Sequence, residues 1–553
     1  MKSEWKAERN MLRAPRGFVP ALLICGVLFQ ISTGRSTAGQ DSQTDWAAEG
    51  RTWWAHVQYL ASDEMRGRET GTDDYRKAAD YVSQKFAEAG LQPAGTKGFL
   101  QEVDFDVRQI DEAHSSLALV HDGITEELKL GDDATLRVSG EPAESVRAGA
   151  VFVGYGFAVP EMNYNDFAGQ DLHRKIAVYL SGGPSAIPGP LKAHYQSTGE
   201  RWAALRRAGA IGVAIIGNPK NSDIPWERAA LARTQPSMSL TDPKLVETHG
   251  MQFAASINAA LADKWFAGTD HTIAELLAAA DADRALPHFP LTVAVQARIG
   301  VNRRTVSAPN VIGVLPGSDP KLKSEYVAIS AHLDHLGVGM PINGDSIYNG
   351  AMDNASGVAS VIEIAGHFKR DGIHPKRSIL FIALTAEEKG DLGSEYFVAH
   401  PTVDRKQIVA DINMDMFLPL FALRYLEVQG LDESTLGDDI RAVCESQGVI
   451  VQADKEPNRN RFIRSDQYSF VKAGIPALAF KFGWVKGTPE EKTFQDWVRT
   501  RYHAPSDDVD QPVDAAAAAQ FNHILELLAT RVANVDGRPT WKPDSFFRRF
   551  AQQ

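Results

Sequence analysis

Five short segments concentrate side chains that bind cations and move protons: Ala331-His332-Leu333-Asp334-His335, Ala351-Met352-Asp353-Asn354, Thr385-Ala386-Glu387-Glu388, Asn413-Met414-Asp415 and Tyr502-His503-Ala504-Pro505-Ser506-Asp507. Imidazole nitrogens and carboxylate oxygens are the ligands zinc takes where no thiolate is offered. Each segment alone has an ordinary explanation. A histidine at a strand end usually hydrogen-bonds, a Glu pair suits the start of a helix, and an Asp commonly caps a turn. Asp415 differs, because it follows a buried apolar run where an unpaired carboxylate is costly. Together and in this order, the segments point to metal-assisted chemistry. Cysteine chemistry is excluded: the chain has Cys25 and Cys444 only, and Cys444, in the helical-looking RAVCESQG, reads as a small buried apolar residue.

The elements that would position these residues follow from hydrophobic periodicity. Residues 326–331 (YVAISA), 378–384 (SILFIAL), 408–412 (IVADI) and 477–482 (ALAFKF) are apolar runs of buried-strand length. Helical patterns at 358–369, 394–400, 437–447 and 515–535 alternate with them. This rhythm predicts an α/β fold with a mostly parallel sheet covered by helices on both faces. Ligands of such sheets bind outside the carboxyl ends of the strands, where three of the five segments fall. Upstream, 53–60 and 73–89 read as amphipathic helices, the second opened by Thr72 and stopped by Gly90. Between these regions, GAVFVGYGF, KIAVYLSGG and IGVAIIGNP are short strand-like runs with one helix, 202–208, before the last, which predicts a separate, mostly β unit.

The motifs SAHLDH, YNGAMDNASG, LTAEEKGDLGS, NMDM, RSDQYSF and YHAPSDD resemble the M28 family of metallopeptidases, the di-zinc aminopeptidase group. YLASDEMRGRETG resembles the amino-terminal part of such peptidases, and the VFVGYGF region resembles their inserted protease-associated (PA) domain. The resemblance implies a peptidase domain at 45–145 and 287–540 with the PA-like insertion at 146–286. It implies two Zn2+ ions held by His332, Asp353, Glu388, Asp415 and His503, with Asp353 bridging, His332 and Asp415 on one ion, and Glu388 and His503 on the other. Glu387 would be the general base. Asp353 has two oxygens, so it can serve two ions; Glu387 and Glu388 can divide their tasks only on an irregular turn, since a regular strand would point them to opposite faces.

Asp334 is placed to hold the second N–H of His332, while His335 is expected to pack or hydrogen-bond rather than ligate. Tyr502 is a candidate donor to a developing oxyanion. Arg464-Ser465-Asp466 resembles a segment lining the substrate pocket, and Gln467 stands where many relatives have His. The activity implied is an aminopeptidase acting on peptides. A glutamate-carboxypeptidase-like enzyme is the alternative, because Arg459, Arg461 and Arg464 could grip a substrate carboxylate. A single-zinc glutaminyl cyclase and a non-catalytic binding module are disfavoured by the complete ligand set.

Composition bounds the rest. The 553 residues are 44% hydrophobic, ordinary for a globular chain of several domains, with a formal net charge of −12. An acidic chain lacks the basic footprint of a nucleic-acid binder. Lys6, Arg9, Arg13 and Arg16, the apolar run 18–31 and Ser36-Thr37-Ala38 predict a cleaved export signal over 1–38. The run is shorter than the roughly 20 residues of a membrane-spanning helix, so the expectation is a secreted or periplasmic protein free of the membrane once the signal is removed. The sequence sets no oligomeric state.

Overall fold

The computed structural model describes residues 44–459 and 461–552. The expected signal at 1–38, with Cys25 and its cleavage site, lies outside the described residues.

Two amino-terminal helices open the fold. α1 (Trp46–Leu60) is capped by Asp45, whose carboxylate accepts from Ala48 N. In α2 (Asp73–Glu88), Thr72 accepts from Tyr75 N, and the stripe Tyr75, Ala78, Ala79, Val82 and Phe86 is buried at helical spacing. α2 gives way at Gly90, whose φ of +78° suits a residue without Cβ.

The main sheet has ten strands. Nine are labelled in chain order: β1 (Leu100–Ile110), β2 (Ser237–Leu240), β3 (Val301–Leu315), β4 (Tyr326–His332), β5 (Ser378–Leu384), β6 (Ile408–Asn413), β7 (Tyr425–Gln429), β8 (Ile450–Ala453) and β9 (Ala477–Phe482). Their spatial order is β2-β1-β3-β5-β4-β6-β9-β7-β8, and Gln92–Pro93 pairs beside β3. The run β5-β4-β6-β9 is parallel. The flanks turn antiparallel at β3 with β5, β1 with β3, β2 with β1, and β7 with β9. The sheet is therefore mixed, with a parallel centre. β5 is buried along its whole length, which matches its unbroken apolar sequence.

Helices cover both faces. On one, α1, α2, α3 (Ser356–Arg370) and α6 (Ala515–Asn534) pack against residues such as Val327, Ile329 and Phe381. On the other, α4 (Leu392–Ala399) and α5 (Gln467–Lys472) bring Phe397 and Phe470 onto Ala328, Leu380 and Ile382. Because the four central strands are parallel, His332, Leu384, Asn413 and Phe482 end along one edge. Among the described residues no helix is long and apolar enough to cross a membrane.

A second sheet of eight strands forms its own core around Phe152, Val178, Ala214 and Trp265. It is wider than the expected 146–286. Ser116–His121, Ile124–Leu128 and Ala134–Leu136 join from before that stretch, and His288–Arg298 from after it. The crossing between sheets falls where β1 ends and β3 begins, Ile110 facing Val301. β2, from inside the inserted stretch, returns to pair with β1 in the main sheet.

Candidate metal centre

The edge formed by the central strand ends gathers the expected residues. His332 is the last residue of β4, Asp415 follows β6, and Glu387 and Glu388 follow β5. Asp353 lies in the loop entering α3, and His503 in the loop after helix Pro489–Thr500. Ala386 has φ +56° and His503 φ +54°. Left-handed backbone at residues with a Cβ costs about 1–3 kcal/mol each and persists only where the surroundings impose it. At Ala386 it breaks the alternation of β5, the irregular turn that both glutamates require.

Asp353 divides its two oxygens. Oδ1 lies 3.4 Å from His332 Nε2, which is also 3.5 Å from Asp415 Oδ1. Oδ2 lies 3.3 Å from His503 Nε2, which is 3.2 Å from Glu388 Oε2. Zinc bonds of ~2.0–2.2 Å put tetrahedral ligand atoms about 3.4 Å apart, so both groups have the spacing of ligand sets. His332 Nε2 is buried and has no hydrogen-bond partner, which is the state of a ligand atom reserved for a cation. The nitrogen and oxygen donors present therefore fit zinc.

His335 stands beside the second of these groups. With Asp353 and Glu388 it offers ligand atoms that all lie within 4.8 Å of one another. Its Nδ1 is 2.7 Å from Glu388 Oε1, yet neither atom makes a hydrogen bond of acceptable geometry. Asp334 departs from expectation. Its backbone carbonyl, not its carboxylate, accepts from His332 Nδ1 at 3.1 Å. The carboxylate instead accepts from the backbone N–H groups of Glu387, at 3.1 Å, and Glu388, at 3.3 Å. It thereby fixes the turn that aims the glutamates, while Oδ1 stays 3.9 Å from the imidazole.

Three residues that sequence reasoning left without a role hold the loops. Arg68, fully buried, donates from Nε to Leu333 O and from its Nη atoms to Leu60, Asn349 and Gly350 carbonyls. Burial lowers its pKa to about 10 against the pull of Asp507 and Asp353. Asp507 accepts from the backbone N–H groups of Met352 and Asp353. Asn354 donates to Met414 O and accepts from Met416 N, tying the Asp353 loop to the Asp415 loop. Arg68 lies in RGRETG and Asp507 in YHAPSDD; a charged residue inside a motif was the available signal.

The protein's own groups set a strong field. Burial would depress His332, but Glu387, Asp353 and Asp415 outweigh it and hold its pKa well above the ordinary value. His503 is lifted to about 10 by Glu388 and Asp353, again against burial. Burial would raise Asp353, but His332 and His503 draw it well below the usual carboxylate range. Burial pushes Glu387 far up, and Asp391, Asp415 and Glu388 push it further against the pull of His332. Such a site demands positive charge, and a cation would act in the direction opposite to burial.

The substrate-side residues part company. The Tyr502 ring lies tilted against His503, with ring centroids 4.0 Å apart, and burial raises its pKa well above the phenol value. Together with Asp415, Arg464 and Ser465 it lines a pocket. Asp466 does not line it. Its carboxyl is fully buried without hydrogen-bond partners, and burial with Asp391 holds it far above the ordinary value. Glu387, Glu388 and His503 also line a wide cleft to which Thr135, Ser181 and Gln196 from the region of the second sheet contribute.

Over part of its length the chain is similar to known peptidases. Residues 310–529, about two fifths of the chain, match Peptidase family M28. Aminopeptidase YwaD of Bacillus subtilis (strain 168) is 27% identical over 207 residues, 37% of this chain and 40% of that protein. Carboxypeptidase Q of Xenopus laevis is 29% identical over 133 residues, 24% of this chain and 26% of that protein. The matched stretch thus spans less than half the length of these relatives. The solved aminopeptidase from Aneurinibacillus sp. strain AM-1 shares the fold, with a TM-score of 0.53 at 20% identity over 90% of this chain and 97% of that one.

Proposed function

We propose that the chain is a zinc-dependent exopeptidase of the aminopeptidase kind, releasing single residues from the amino termini of peptides. The carrying observation is Asp353, whose oxygens face two donor groups, His332 with Asp415 and His503 with Glu388, each at ligand spacing. These five residues would hold the ions, with His335 in reach of the second group. When bound, zinc polarises a scissile carbonyl and makes water acidic enough to attack near neutral pH.

The chain's own residues do the rest. Glu387 takes a proton from the attacking water at a carboxylate oxygen and returns it to the leaving amine. Asp334, on the backbone of Glu387 and Glu388, keeps one side chain for proton transfer and the other for binding. Tyr502, held protonated by burial, can donate its O–H to the developing oxyanion. The inserted unit would roof the cleft and limit the length of substrate admitted. The expected leader would direct this enzyme out of the cytoplasm, and amino-terminal sequencing of protein recovered outside the cells checks that.

Likeness to a carboxypeptidase keeps a second reading in play. Against it, Asp223 and Glu456 already engage the guanidinium groups of Arg459, Arg461 and Arg464. The test is hydrolysis of an aminoacyl p-nitroanilide panel and of dipeptides with free and blocked amino termini, with and without chelator. Chelator-sensitive release that requires a free amino terminus is expected. Activity that survives blocking would establish the carboxypeptidase, and no release from any substrate would refute an exopeptidase.

A further inference from the structure

The pocket beside Asp415 and Tyr502 has a composition of its own. Met416, Phe494 and Val498 give it apolar walls, while its floor carries Lys481 and Gln429 from the neighbouring strands β9 and β7. The polar atoms on that floor are hydrogen-bond donors in surplus. Lys481 is 6% exposed, and its Nζ donates to the Asp415 carbonyl at 2.9 Å. An ammonium has three donors, and among the described residues no carboxylate lies within ion-pair distance of this one. Gln429 is 3% exposed, and its Nε2 has no acceptor. Gln467, also in the wall, is not in surplus, since it accepts from Asn413 and donates to Phe462 O.

The charge balance has the same sign. Arg461 and Arg464 line the pocket, and Asp223 is its one acidic side chain besides Asp415. Asp223 is already shared, at 2.5 Å from Arg459 Nη1, 2.7 Å from Arg464 Nη1 and 3.6 Å from Arg461 Nη2. Asp415 is committed to the metal centre on the reading above. Glu427 faces Lys481 across the β7–β9 pair, but burial lifts its carboxyl to about 7, so it offsets the lysine only in part at neutral pH.

We propose that this pocket receives the side chain of the substrate's amino-terminal residue and selects a carboxylate, so that peptides beginning with Glu or Asp are preferred. The proposal rests on the aminopeptidase reading and deepens it. A side-chain carboxylate supplies the acceptors that Gln429 Nε2 and Lys481 Nζ lack, and its methylenes lie against Met416, Phe494 and Val498. A leucyl side chain of similar length leaves those buried donors unpaired, and a lysyl side chain adds a cation to cations. Sites built to hydrogen-bond a substrate group reject analogues lacking it far more strongly than apolar pockets sort by size.

The experiment compares kcat/KM for Glu-, Asp-, Gln-, Leu- and Lys-p-nitroanilide on the zinc-loaded full chain, then on Lys481→Met and Gln429→Leu. The acidic substrates are expected to exceed Leu by at least about 10-fold, with Lys poorest. Lys481→Met should cut the Glu-to-Leu ratio by about 10-fold or more. Gln429→Leu, which removes a donor without removing charge, should cut it in the same direction and serves if the lysine variant fails to fold. Leu as the best substrate, or a ratio unmoved by the variants that fold, overturns the pocket assignment while leaving the aminopeptidase intact. No release from any substrate overturns the aminopeptidase reading and this assignment with it.

Discussion

Glu387 and Glu388 are adjacent in the chain and carry different tasks in the proposal, because the left-handed turn at Ala386 and the grip of Asp334 on both backbone amides aim them separately. Glu387→Gln keeps the shape and removes the base. It should lower kcat by roughly 10²–10⁴-fold with zinc content unchanged; metal analysis beside steady-state kinetics checks this, and lost zinc would make Glu387 a ligand instead. Arg68 acts at a distance from the chemistry. Arg68→Met leaves carbonyls of the His332 and Asp353 loops without donors, at about 1–3 kcal/mol for each group left unpaired. Thermal unfolding of the variant should begin at markedly lower temperature, and a zinc titration should show weakened affinity. The residues gathered at the centre were legible because carboxylates and imidazoles stand out at the ends of apolar strands. The work of Arg68, Asn354 and Asp507 was not legible, because it consists of bonds to backbone atoms of loops that meet only in the fold. Asp334 was misassigned for the same reason: spacing placed it near His332 but could not say which of its groups would reach the ring.

Three helices meet around a buried histidine far from the catalytic edge. His367 of α3 lies 3.2 Å from Glu526 of α6 and 3.2 Å from Glu49 of α1, with Glu363, His56, His523 and Arg370 around it. Burial would lower its pKa, but Glu526 leads the carboxylates that raise it. Glu526 is itself drawn down to about 2 by His367 and His523 against burial. A raised histidine stabilises the fold fully below its unfolded value of about 6.5 and loses that contribution as pH rises through the folded one. A depressed glutamate contributes above about 4.5 and loses it as pH falls toward 2. Their joint contribution is therefore greatest between those two unfolded values. With zinc saturating, the melting temperature of the wild type should fall from pH 6 to pH 9 more steeply than that of His367→Gln; parallel profiles would show that the network is not charged as described. At this scale the long apolar strands and most helices were legible to within a few residues, while the first helix, expected at 53–60, begins seven residues earlier at Trp46. β1 and β3 were not, because alternate residues of β1 are polar and only partly buried, while β3 begins with the exposed run 302–305 and includes Pro309, so neither reads as a buried strand.

At the scale of the whole molecule, the centre is tied to the stability of the fold and to the inserted stretch. Metal binding to the folded chain alone stabilises it by mass action, about 2.7 kcal/mol at a hundredfold excess over Kd. Stripping zinc should therefore lower the unfolding temperature, and restoring it should raise the temperature in proportion to the logarithm of zinc concentration. Asp223, from the inserted stretch, sits among Arg459, Arg461 and Arg464, the last two lining the proposed substrate pocket, and they hold its carboxyl down to about 2 against burial. Asp223→Asn should change kcat/KM through KM more than through kcat, because it loosens a pocket wall without touching the metal ligands; a pure kcat effect would contradict that placement. Strands of the second sheet were legible in the Val, Ile and Gly texture of that stretch. Its limits were not, because the strands on either side of it are ordinary in composition and are assigned only by pairing partners far away in the chain. The return of β2 to the main sheet has a practical corollary for anyone trimming the molecule. Excising the extra unit at the Ile110–Val301 crossing would also strip four residues from the flank of β1, and the bare row of amides and carbonyls left behind would invite neighbouring molecules to zip on. A shortened version should be judged first by whether it stays monodisperse.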